Sequence, residues 1–98
     1  MFLDVVTLRG LEGTIAWGYH TAAVVSSWTI ERSAPGLAGT APTTWTLRAT
    51  VARVDPFQLR QAPLKFTAPR RGGFFCWPIR SVTLGAGSLS AQLGPPES

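Results

Sequence analysis

The sequence predicts an all-β protein: a small antiparallel barrel or compact sandwich of about seven short strands with one short helical turn. Three observations lead there. Ser27-Trp28-Thr29-Ile30-Glu31-Arg32 and Thr44-Trp45-Thr46-Leu47-Arg48 echo one another, each alternating large apolar with small or charged residues. That period of two marks half-buried strands. Between them, residues 33–43 are rich in Pro, Gly, Ala and Thr, which suits the loop of an antiparallel pair. Gly- and Pro-bearing punctuation recurs along the rest of the chain.

Taken in order, residues 2–9 read as a first strand ending at Gly10, and 13–19 as a second with Ile15, Trp17 and Tyr19 on one face. Gly18, between two aromatics, marks a bulge or a close backbone approach. Residues 21–32 form a long strand whose Val24, Trp28 and Ile30 share a face. Residues 44–54 answer it, with Trp45, Leu47, Ala49 and Val51 inward. The expected core is Trp28, Trp45, Ile30, Leu47 and Phe66.

The chain then changes character. Asp55-Pro56-Phe57-Gln58 is a helix-start signal: a capping acid, Pro at the first helical position and Gln three residues after the cap. Pro63 limits that helix to residues 56–61. Residues 63–68 form another strand, with Leu64 and Phe66 on one side and Lys65 and Thr67 on the other. Arg70-Arg71-Gly72-Gly73 makes a turn. Residues 74–77 resume as a strand that Pro78 ends or places at an edge. A last hairpin joins 79–84 to 88–93 across Gly85-Ala86-Gly87. One domain over 1–94 is expected, followed at 95–98 by a polar tail, disordered or used for docking.

Only 14% of the 98 residues are charged, below the roughly 25% usual for soluble domains. Such a surface has few devices against self-association, so a protein partner or further copies are expected. The net charge of +4 is uneven: residues 1–47 sum to −1 and residues 48–98 to +5. A basic half suits an acidic partner, nucleic acid or protein, although a GC-rich coding sequence raises Arg with Ala, Gly and Pro just as well. Cys76 is the one cysteine, so no intrachain disulfide forms, and its flanks Phe75 and Trp77 suit a buried, unreactive thiol. The start of the chain lacks a secretory pattern, and no apolar stretch approaches the ~20 residues that span a bilayer. A soluble, intracellular protein with no membrane partner is the expectation.

Catalytic constellations are scarce. His20 is the one histidine, and no paired cysteines, phosphate-cradling glycine loop or nucleophile elbow accompany it. His20 as the base of a hydrolase is a remote third reading, and the expectation is no enzyme, no cofactor and no metal. Two candidate contact sites emerge instead. Lys65, Arg70, Arg71 and Arg80 surround Phe74, Phe75 and Trp77, the ingredients of a single-strand nucleic-acid platform in which cations track phosphates and aromatics stack on bases. Core packing of the aromatics with a solvated arginine tip explains the same residues more simply. The second site is Leu37, in a loop of Gly, Ala and Pro, either docking on a neighbour or folding back over a barrel end.

The run Trp45-Thr46-Leu47-Arg48-Ala49-Thr50-Val51-Ala52-Arg53-Val54-Asp55-Pro56 resembles the central strand of head-completion and connector-type barrels of tailed phages. Ala62-Pro63-Leu64-Lys65-Phe66-Thr67-Ala68-Pro69, then Phe75-Cys76-Trp77-Pro78-Ile79, extend that resemblance to the small β-rich proteins of phages and prophages, over about a third of the chain. It implies a non-catalytic module working by protein contact in a virion or the host-cell cytoplasm, as a virion part or an inhibitor of a host enzyme. A basic single-strand nucleic-acid-binding barrel is the alternative.

Overall fold

Alternation of apolar and polar residues carries most of this chain into strands, and the computed structural model, which describes residues 5–33 and 43–97, shows how they close. Six strands form an antiparallel closed barrel: β1 (Val5–Trp17), β2 (His20–Ser33), β3 (Thr44–Val54), β4 (Leu64–Arg70), β5 (Gly73–Leu84) and β6 (Ser88–Leu93). One short helix, α1 (Pro56–Leu59), lies between β3 and β4. The order around the ring is β1-β2-β3-β6-β5-β4, so each half of the chain is a three-stranded meander. Two seams, β1–β4 and β3–β6, join the halves.

The eight stretches that read as strands become six, because two pairs of them are continuous. The sequence divides 2–9 from 13–19 at Gly10, yet β1 runs through it. Gly10 is there for room: a Cβ would stand 2.6 Å from Cζ2 of Trp28, which lies across it. Glu12 carries the irregularity instead, with φ of 64°, and its carbonyl accepts the Trp28 indole N–H at 3.1 Å. A non-glycine residue in that region is uncommon; here the conformation accompanies satisfaction of a nearly buried donor. Pro78 likewise does not end its strand, because β5 continues to Leu84. Its carbonyl accepts from the Gly94 N–H at 2.8 Å. Its missing N–H therefore points where β6 has already stopped, a position that tolerates proline.

The inward side chains stack in rows across the sheet. Gly10, Trp28, Ala49 and Leu89 are mutual neighbours in one row; Leu8, Ile30, Leu47 and Ala91 form the next; Val6, Arg32, Trp45 and Leu93 form the third, at the barrel mouth. Trp28, Ile30, Leu47 and Phe66 are buried as expected. Trp28 and Phe66 meet edge to face at 5.5 Å, and Phe66 stacks on Trp77 at 5.9 Å. Trp45 departs from the expected core: it is half-buried on the third row, with the Arg32 guanidinium over its ring at 5.6 Å. Val24 also leaves the face assigned to it, because the β2–β3 register slips between Val24 and Ser27. Ala23 and Val25 are buried below the slip, and Trp28 and Ile30 above it.

Other local readings hold with adjustments. Ile15 is buried and Trp17 half-buried, but Tyr19 stands fully exposed in the β1–β2 turn. Gly18 marks neither a bulge nor a close approach; it has φ of 59° as the first of two turn residues, where glycine suits a tight hairpin. Asp55 caps α1 through Oδ1, accepting from the Phe57 and Gln58 N–H groups at 3.0 and 3.3 Å. The helix stops at Leu59, shorter than the expected 56–61. Cys76 is partly exposed, with the Thr67 hydroxyl donating towards its sulfur at 3.8 Å.

Candidate partner-binding surface

Buried apolar side chains fill the interior, and the outward rows of the barrel wall present the polar and charged groups of the described strands. One row links Ser88, Thr50, Ser27 and Leu11 across β6, β3, β2 and β1. A second links Ser90, Arg48, Thr29 and Arg9. A third links Gln92, Thr46, Glu31 and Thr7. Along the first two lies a shallow groove of about 600 Å³, lined by Ser27, Thr29, Thr50 and Ser88 together with Arg9, Arg48 and Leu11, and reaching Gly10, Trp28 and Ala49. Arg48 also reaches Glu31 at 3.3 Å across the exposed surface.

Two large apolar residues of the wall are strongly exposed. Leu11 is 73% exposed and Phe74 is 67% exposed. Phe74 pairs with Pro69 across β5 and β4. Thr14 pairs with Thr67, and on that register Pro69 falls level with Glu12, one residue away from Leu11. Pro69 and Phe74 thus form an exposed apolar pair across β4 and β5, and Leu11 is a separate exposed apolar residue on β1. Exposed apolar groups in contiguous array mark contact surfaces more reliably than scattered ones.

The four cations expected to act together are divided by the strands that carry them. Arg70 shares its side of β4 with buried Leu64, Phe66 and Ala68, and its guanidinium lies over the Phe75 ring at 5.2 Å. Lys65 faces out and holds Glu97 at 3.0 Å. The hydrogen bond and charge of Glu97 hold its ammonium pKa above the ordinary value near 10.5. Arg80 lies against Gly94, and Arg71 occupies the β4–β5 turn beside Gly72. Among the aromatics, Trp77 is buried and Phe75 half-buried, packed together at 5.1 Å; Phe74 alone of the three is exposed. Alternation on β5 settles which pair enters the core.

The expected tail is tied down through Glu97. Gly94 bonds to Pro78, and the Glu97 N–H donates to the Cys76 carbonyl at 2.9 Å, so residues 94–97 run beside β5. Leu37 lies outside the described residues. Leu11, between Gly10 and Gly13, shares with Leu37 a setting between glycines. His20 stacks on Trp17 at 6.1 Å beside the β1–β2 turn. Among the described residues, no cluster of three His, Cys, Asp or Glu side chains could hold a metal ion. No helix among them is long and apolar enough to cross a membrane.

Comparison with protein-family models, with curated proteins and with solved structures yields no match for this chain.

Proposed function

We propose that this protein is a non-catalytic interaction module of phage or prophage type, docking on protein through the outer wall of its barrel. The observation that carries the reading is the exposed apolar pair of Pro69 and Phe74, with Leu11 exposed in its own right on β1. Burying such side chains against a partner is favourable at roughly 25 cal/mol per Å² of apolar area removed from water. The phage setting rests on the sequence resemblance, and with it the alternatives of a virion part or an inhibitor of a host enzyme.

The nucleic-acid reading has one observation of its own: Phe74 stands exposed near Arg71 at a hairpin tip. Against it, Arg70 covers Phe75 and Lys65 holds Glu97, so the cations do not line one track. Anisotropy of a labelled single-stranded oligonucleotide, run beside light scattering, separates the readings. Expected is weak oligonucleotide binding that fades with salt, and protein association reduced by Leu11→Ser with Phe74→Ser. Tight binding at physiological salt, lost in Arg70→Ala with Arg71→Ala, would reverse the order of the two.

A further inference from the structure

β1 is longer than the strand that closes the barrel against it. It runs from Val5 to Trp17, but its pairing with β4 covers only Thr14, Ile15 and Ala16. β4 ends at Arg70 and turns back at Arg71 and Gly72. Along residues 6–10, β1 pairs with β2 on one side, and no described strand pairs with it on the other. An open edge of this kind presents unpaired N–H and C=O groups and acts as a template for another strand. Natural edges are blunted by charge, proline or bulges. This stretch, Val6-Thr7-Leu8-Arg9-Gly10, carries one charge and no proline.

We infer that the open edge of β1 pairs antiparallel with the same edge of a second copy, about a twofold axis at Leu8. The inference takes up the interaction reading and names its partner, but uses the strand edge and not the exposed Leu11 and Phe74 side chains, so the two fail separately. Closed symmetry makes such a contact self-complementary, and the residues fit that demand. Centred on Leu8, the register sets Leu8 against Leu8, Val6 against Gly10 and Thr7 against Arg9 of the second copy. A register centred one outward position along would set Arg9 against Arg9.

Charge favours the same arrangement. Within each chain Thr7 neighbours Glu31, and Arg9 neighbours Thr29 and, beyond it, Arg48. Pairing through Thr7 and Arg9 therefore continues one copy's Glu31 row into the other's Arg9 and Arg48 row. An acidic half-row meets a basic one at each end of the contact. Leu8, only partly buried in one chain, gains its own counterpart as a neighbour.

The register supplies its own test. Thr7→Arg places Arg against Arg9 of the second copy twice, while in its own chain the new side chain faces Glu31 and the barrel is undisturbed. Like charges directly opposite are destabilising. Sedimentation velocity across a concentration series should show a dimer in the parent and about a tenfold weaker one in Thr7→Arg. Adding Arg9→Glu to Thr7→Arg restores opposite charges across the axis, and the dimer should return. A parent that stays monomeric throughout, or a dimer indifferent to Thr7→Arg, overturns the inference, as does a failure of the double variant to recover. A dimer lost in Leu11→Ser with Phe74→Ser but unmoved by Thr7→Arg would place the contact on the wall, sustaining the interaction reading and removing the strand pairing.

Discussion

Trp28 and Trp45 sit in nearly the same local sequence, yet they occupy different environments. Each is followed by Thr and a branched aliphatic residue on an alternating strand. Trp28 is 4% exposed, lies over Gly10 and donates its N–H to Glu12. Trp45 is half-buried beneath Arg32. Register makes the difference: Trp28 pairs with Ala49, and Trp45 with Arg32, two inward rows nearer the mouth. Alternation tells which side of a sheet a residue faces, whereas depth along the barrel depends on how the strands are staggered.

The sharpest way to break that contrast is to remove each indole in turn. Trp28→Ala should cost about 3–5 kcal/mol, because it opens a cavity against Phe66, Phe75 and Trp77. Denaturant melts would read this as a large loss or as failure to fold. Gly10→Ala should follow at about 1–3 kcal/mol, since its Cβ would press on the indole face. A Gly10→Ala protein as stable as the parent would show that Trp28 does not rest there. Trp45→Ala should cost less, about 1–2 kcal/mol, as befits partial burial. Equal losses for Trp28→Ala and Trp45→Ala would erase the distinction between centre and mouth.

Beyond the core the effects shrink further. Asp55→Ala should lose about 1 kcal/mol with the barrel intact, because the α1 cap goes and the strands stay; unchanged thermal melting would deny the cap any part in stability. The surface pair of Lys65 and Glu97 comes last. Glu97 raises the Lys65 pKa, so whatever stability the pair contributes is complete below the ordinary lysine value and vanishes as pH rises through the raised one. Following the Lys65 side chain by NMR should show its titration fall towards the ordinary value in Glu97→Gln. An identical titration in both proteins would mean that the two side chains do not meet in solution.

What the sequence made legible follows the same division. The faces of β3 and β4, the α1 cap and the β4–β5 turn depend on residues close in the chain, and alternation or capping chemistry reveals them. The continuity of β1 through Gly10 depends on an indole eighteen positions away, and the face of Val24 on a slip against β3. Proline within β5 is tolerated because β6 stops short, a fact about another strand. Of the candidate surface, Phe74 was visible as an aromatic but not as an outward one beside Pro69. Leu11 stands exposed beside Glu12, whose positive φ no local pattern announces.

The single crossing between the two meanders has a kinetic consequence. Within each half, neighbouring strands are consecutive in the chain, and pairing them closes short loops. The seams join Thr14 to Thr67 and Leu47 to Ala91, contacts that must wait for large stretches of chain to be brought together. Loop closure of that span is entropically slow, and rates fall as such contacts dominate. Two sheets that meet late, with the α1 crossing as their tether, is the folding order this topology favours, and substitutions at the β1–β4 and β3–β6 seams are then expected to slow folding less than they speed unfolding.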